Sequence, residues 1–293
     1  MRPRRRKLLT ALALAALPMT ARAEQRPVRV VAAENFYGDI ISQIGGGRVQ
    51  VLSVLDRPDQ DPHMFEASVS TARALSHARL VVYNGGGYDP WMKKLLAAAK
   101  SPGRRVVITA RLLDAKPGAN PHFWYDPAVM PVVAEVVAAA LEALDPAGAP
   151  AYLNGLAQVR EALRALRGKV AVLRARYAGT PVTATEPVFG YMAEALGFVV
   201  RNTGYQLAVM NDVEPGASQV AAFEKDLETR RVKILFYNKQ VTDASTTHAR
   251  RLAGKYGVPV VGVTETMPAG LHYQSWMLNQ LAAVENALAD GRR

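Results

Sequence analysis

Residues 151–177 read AYLNGLAQVREALRALRGKVAVLRARY. Within this stretch Leu153, Leu156, Leu163, Leu166, Val170, Leu173 and Tyr177 recur at intervals of three, four or seven. That spacing predicts one apolar stripe on a helix of about 27 residues, about 40 Å long at 1.5 Å per residue. The other faces carry Arg160, Arg164, Arg167, Arg174 and Arg176. An ordinary amphipathic surface helix fits this description, and so does a rigid link between two lobes.

The same pattern flanks the helix on both sides. On its N-terminal side, β-rich runs at 28–33, 51–55, 80–84 and 105–109 alternate with helical patterns such as 70–76, 90–99 and 127–144. On its C-terminal side the alternation restarts, with strands expected at 181–185, 198–201, 232–237 and 259–263 and a last helix at 274–289. Such alternation predicts parallel sheets covered by helices. The expected fold class is therefore α/β. It has two lobes, each a roughly four-stranded parallel sheet, joined by one long backbone helix. The expected divisions are 1–23, 24–145, 146–179 and 180–293. No short fixed repeat argues for a solenoid.

The first division reads as an address. Arg2, Arg4, Arg5, Arg6 and Lys7 precede an apolar run from Leu8 to Leu17, and Ala21-Arg22-Ala23 follows as a small-x-small cleavage site. This is the layout of a secretory signal peptide, with the general and twin-arginine routes both open. The run is too short for a permanent membrane span, and no later stretch reaches 18 consecutive apolar residues. Together with Arg22, these basic residues account for more than half of the formal charge of +11. The modest remainder, with no basic patch interleaved with aromatics, does not point to nucleic acid. The chain has no cysteine. That excludes disulfides, thiolate metal sites, cysteine nucleophiles and a cysteine-linked lipid anchor. A free periplasmic protein is the expectation.

In open parallel sheets, ligands sit beyond the carboxyl ends of the strands. Four polar residues follow expected strands. His63 lies in Asp61-Pro62-His63-Met64-Phe65-Glu66, and His122 in Asn120-Pro121-His122-Phe123-Trp124-Tyr125-Asp126-Pro127. Glu186 precedes Pro187, and Glu265 stands in Thr264-Glu265-Thr266. Two imidazoles and two carboxylates make a mixed nitrogen and oxygen set for a divalent first-row metal, and the acids balance its charge. Pro62 and Pro121 stiffen the loops that present each histidine. His77, His248 and His272 read as surface residues, with His272 the exception to watch because it is close to Glu265. Trp91, Trp124 and Trp276 read as packing residues. Gly85-Gly86-Gly87 lacks the context of a phosphate loop and reads as a turn.

These segments resemble those of the solute-binding proteins of zinc/manganese ABC importers, the cluster with a rigid helical backbone. Asp61 to Glu66, followed by Ser70-Thr71-Ala72-Arg73-Ala74-Leu75, is similar to the family's first-ligand segment. Asn120 to Pro127 is similar to the second, and Thr185-Glu186-Pro187-Val188-Phe189-Gly190-Tyr191 to the third. Glu214-Pro215-Gly216-Ala217-Ser218 resembles the family's Glu-Pro stretch, and Glu265 falls where the fourth, acidic ligand stands. The likeness runs from about residue 28 to 289.

The resemblance implies a metal site of His63, His122, Glu186 and Glu265. It further implies a monomeric receptor that delivers its cargo to a membrane permease with a cytoplasmic ATPase, and no catalysis. Manganese, iron and zinc stay open. Glu186 resembles the manganese/iron subgroup, whereas many zinc importers have His there. The His-rich acidic loop of many zinc-binding members is absent, and the fourth ligand is usually Asp rather than Glu. Asn238 stands where relatives often show an acid. Two other readings use the same residues: a metal-dependent hydrolase, and a receptor of this architecture for a siderophore or haem.

Overall fold

The computed structural model describes residues 26–57, 65, 68–241 and 243–290. The expected signal peptide, residues 1–23, lies outside them. The first half runs β1 (Val28–Glu34), α1 (Asn35–Gly45), β2 (Val49–Leu55), α2 (Val69–His77), β3 (Leu80–Tyr83), α3 (Pro90–Ala98), β4 (Arg105–Ile108), α4 (Thr109–Leu112) and α5 (Val129–Leu144). Then comes the long α6 (Ala149–Tyr177). The second half runs β5 (Pro181–Ala184), α7 (Gly190–Ala195), β6 (Val199–Val200), α8 (Thr203–Met210), α9 (Ala217–Glu228), β7 (Leu235–Asn238), α10 (Ala244–Lys255), β8 (Val260–Val263) and α11 (Tyr273–Asp290).

The strands form two four-stranded sheets, ordered β2-β1-β3-β4 and β6-β5-β7-β8. Every pairing is parallel. The residues dictate this. β3, Leu-Val-Val-Tyr, is buried on both faces, as a strand covered by helices on each side must be. The expected strand at 198–201 shrinks to Val199–Val200. The one expected at 232–237 is displaced to Leu235–Asn238.

α6 packs against α1 and α5 of the first half and α11 of the second. Its buried stripe is Tyr152, Gly155, Leu156, Val159, Leu163, Leu166, Val170, Leu173 and Tyr177. Leu153 does not belong to it and is 54% exposed. It lies one residue, about 100°, round the helix from Tyr152. Gly155 lets α6 approach α1 closely, since a Cβ there would stand 2.4 Å from the Ile44 carbonyl oxygen. The arginines face outward, as expected.

One hydrophobic core runs through both lobes and α6. Its centre is an aromatic seam. Phe36 stacks on Trp124 with ring centroids 4.5 Å apart, Tyr125 meets Phe189 at 5.5 Å and Trp276 at 5.8 Å, and Phe189 stacks on Phe236 at 4.6 Å. Hydrogen bonds cross the same seam. The Asn35 amide pairs both ways with the Met267 backbone (2.7 and 3.0 Å), and the Tyr125 hydroxyl donates to the Thr264 carbonyl (2.6 Å). Among the described residues no helix is long and apolar enough to cross a membrane.

Candidate metal centre

Each sheet has its first strand inside, with the second strand on one side and the third on the other. The chain reverses direction there, and a crevice opens at the carboxyl ends of those strands. In the first sheet the Ala32–Val82 pair, extended two residues, brings Glu34 beside Asn84. In the second, the Ala184–Phe236 pair, extended likewise, brings Glu186 beside Asn238.

His122 sits just before the short turn Phe123–Tyr125 and is 1% exposed. The Asn120 side-chain oxygen accepts from its backbone N–H (3.2 Å) and lies 2.6 Å from Nδ1. The other end of that amide donates to the Pro187 carbonyl at 2.7 Å, which fixes which end is oxygen. In the neutral ring the proton is therefore on Nδ1, and Nε2 presents a lone pair. Nε2 has no hydrogen-bond partner among the described residues and faces Glu265 Oε2 at 3.5 Å. Asn84 supports the loop by donating to the Pro121 carbonyl (2.8 Å) while accepting from the Tyr37 hydroxyl (2.7 Å). Asn120 also ties the lobes together, because Pro187 adjoins Glu186 and the Tyr191 hydroxyl donates to the Asn120 carbonyl.

Glu265 lies two residues past β8 and is 1% exposed. Its backbone N–H and that of Thr266 donate to the Gln240 side-chain oxygen. The Asn238 amide nitrogen donates to Glu265 Oε1 (2.6 Å) and to Glu186 Oε2 (3.1 Å), so one buried amide joins the two acids. Tyr88 faces His122 edge-on at 5.9 Å. Burial first, and then the charge of Glu265, push its phenol well above the ordinary range, so it stays neutral.

Of the four residues expected from sequence, the fold thus places His122 against Glu265 and links Glu186 to Glu265 through Asn238. His63 lies outside the described residues. Among those described, no group of three or more His, Asp or Glu could by itself hold a metal ion. At the end of its segment, Phe65 packs on Trp91 of α3 at 4.3 Å. His77 and His248 are exposed, and His272 is a surface partner of Asp39 (2.7 Å). Gly85, Gly86 and Gly87 all have positive φ, as a glycine turn requires.

Sequence reasoning missed Asn120, Gln240 and a second buried acid pair. Glu34, at the end of β1, is 0% exposed, and its carboxyl is paired with that of Asp89. Its neighbour Asp89 accepts from the Asn84 and Gly85 backbone N–H groups at 2.7 and 2.8 Å. Burial first, and Asp89's charge second, push the Glu34 carboxyl well up. Asp89's oxygens are already committed to N–H groups, so the shared proton resides on Glu34. A charged residue closing the apolar run Val30-Val31-Ala32-Ala33 was the available signal.

Residues 30–287 match the family model described as ZnuA, zinc-uptake complex component A, periplasmic. The chain belongs to the ZnuA family. Among its relatives, the iron-binding protein YfeA of Yersinia pestis is 25% identical, over 85% of this chain and 84% of its own. The manganese-binding lipoprotein MntA of Halalkalibacterium halodurans is 24% identical, over 83% of this chain and 81% of its own. In fold, the ZnuA-family chain is similar to the periplasmic zinc-binding protein TroA of Treponema pallidum. The TM-score is 0.76 at 20% identity, covering 90% of this chain and 99% of that one. These relatives bind different metals, so family membership leaves the cargo of this chain to its own residues.

Proposed function

We propose that this chain is the exported solute-binding subunit of an ABC importer. It captures one divalent transition metal between its lobes and hands it to a membrane permease driven by a cytoplasmic ATPase. The ligands in this reading are His63 and His122 from the lobe at 24–145, and Glu186 and Glu265 from the lobe at 180–293. The segment 146–179 holds the two apart. Residues 1–23 direct export to the periplasm, where the protein acts as a monomer and makes or breaks no bond.

One observation carries the reading. His122 Nε2 is buried, aimed at Glu265 Oε2 and 3.5 Å from it. That is long for a hydrogen bond. It matches two donors sharing one metal, since ligands about 2.0–2.2 Å from a tetrahedral ion stand about 3.4 Å apart. The pair also spans the two lobes. The aromatic seam and the Asn35–Met267 pairing support a release motion that is a small tilt rather than a wide hinge.

Calorimetric titration of metal-stripped protein with zinc and manganese tests this. His63→Ala and His122→Ala should each weaken binding by roughly 10–100-fold or more, because losing a ligand costs at least what losing its supporting partner costs. Unchanged affinity in both variants would end the proposal. A metal-dependent hydrolysis assay on the same samples should show no turnover.

A further inference from the structure

We propose that Asn238 is a specificity-determining residue, biasing the site toward metals of low coordination number by holding one oxygen of each glutamate out of the metal's reach. The inference rests on the metal-binding reading above.

The geometry begins with the orientation of the amide. The Gln240 backbone N–H donates to Asn238 Oδ1 at 3.0 Å, so the opposite end is the NH2 group. Its two hydrogens meet two acceptors, Glu265 Oε1 and Glu186 Oε2, at 2.6 and 3.1 Å. The side chain is 1% exposed, so water does not compete for those bonds. With Oε1 held, Glu265 turns Oε2 toward His122. Gln240 fixes the Glu265 backbone, and Asn238 fixes one oxygen of its carboxylate.

A carboxylate engaged in this way offers a metal one oxygen. The described part of the site, the His122 imidazole and two such carboxylates, therefore supplies nitrogen and oxygen donors of the type a zinc site uses, each through a single atom. Manganese favours more oxygens and a higher coordination number, which the second carboxylate oxygens would supply. The clamp also keeps the site's charge at that of two carboxylates, matched to a dication. Glu186 and Asn238 therefore pull in opposite directions. The first adds an oxygen ligand and the second restricts how many oxygens the acids contribute.

The test compares wild type with Asn238→Ala and Asn238→Asp, each stripped of metal and titrated separately with zinc and with manganese at one pH. Asn238→Ala removes the donor without adding charge. Asn238→Asp removes it while keeping the shape, and Asn238→Leu, neutral and of similar size, replaces the alanine variant if that one fails to fold. Both variants should narrow the zinc-to-manganese affinity ratio by roughly tenfold or more, within the range seen when a ligand's supporting partner is lost. A ratio unchanged within about threefold overturns the proposal, as does equal weakening of both metals, the sign of a purely structural role. A change confined to Asn238→Asp also overturns it, because charge alone would then be responsible. Wild-type protein that binds neither metal would instead defeat the metal-binding reading itself.

Discussion

The two lobes place a glutamate and an asparagine at the same topological position and use them differently. Glu34 and Asn84 stand at the crevice of the first sheet, and Glu186 and Asn238 at that of the second. In the first lobe the Gly85–Tyr88 turn ends in Asp89, which closes over Glu34 and buries it completely. Asn84 turns to Tyr37 and to the His122 loop. In the second lobe Asn238 reaches Glu186 directly and brings in Glu265. A strand-end acid thus becomes a structural group or a candidate ligand according to what the next loop supplies. In the proposed centre the first lobe contributes His122 from beyond its outer strand β4, whereas the second contributes Glu186 from its crevice and Glu265 from beyond its outer strand β8.

The hardest way to break this contrast is to remove the group that closes the first crevice. Asp89→Ala orphans the Asn84 and Gly85 N–H groups and leaves Glu34 without its acceptor. Each orphaned buried donor costs about 1–3 kcal/mol. Urea unfolding should register a loss of that size or larger. A loss under about 0.5 kcal/mol, the scale of an ordinary surface change, would show that Asp89 does not organise the turn.

A matched pair of substitutions then separates the two glutamates. Glu186→Gln should weaken metal binding by roughly 10–100-fold with little change in the melting temperature of the metal-free protein. Glu34→Gln should leave metal affinity nearly unchanged, because Glu34 faces Asp89. Its amide can donate to that acid as the carboxyl proton does. If both substitutions weaken binding equally in calorimetry, the two crevices are chemically alike and the contrast fails.

The element order, both parallel sheets and the long helix were legible because each depends on local periodicity. Glu186 and Glu265 were legible as polar residues two positions past apolar strands, and His122 as the histidine of a Pro-His segment after the fourth strand. The phase of α6 was harder. Leu153 and Tyr152 are both apolar, and it is Tyr152 that faces inward, where its hydroxyl donates to Asp145 and Gly155 lies close to Ile44. The asparagines were least legible. An amide's role depends on partners distant in the chain: Pro187 for Asn120, and Glu186 and Glu265 for Asn238. Glu34 escaped because β1 is buried on both faces, so no alternation marks the odd residue.

The subtlest consequence of the contrast lies in pH. Burial and Asp89 raise the Glu34 carboxyl well above its ordinary value of 4.5, so the folded protein keeps a proton that the unfolded chain releases. The stability this contributes is complete below the ordinary value and is lost as pH rises through the raised folded value. Tyr37 and Tyr88 are pushed up chiefly by burial and remain neutral, so they do not offset the loss. Glu34→Gln mimics the protonated acid and cannot titrate. Melting temperatures of metal-free wild type and Glu34→Gln should therefore agree in acid and diverge as pH climbs, with wild type falling behind. Each unit of raised pKa is worth about 1.4 kcal/mol at most. A difference that stays flat with pH would place the proton elsewhere and make the crevice of the first lobe an ordinary ionised one.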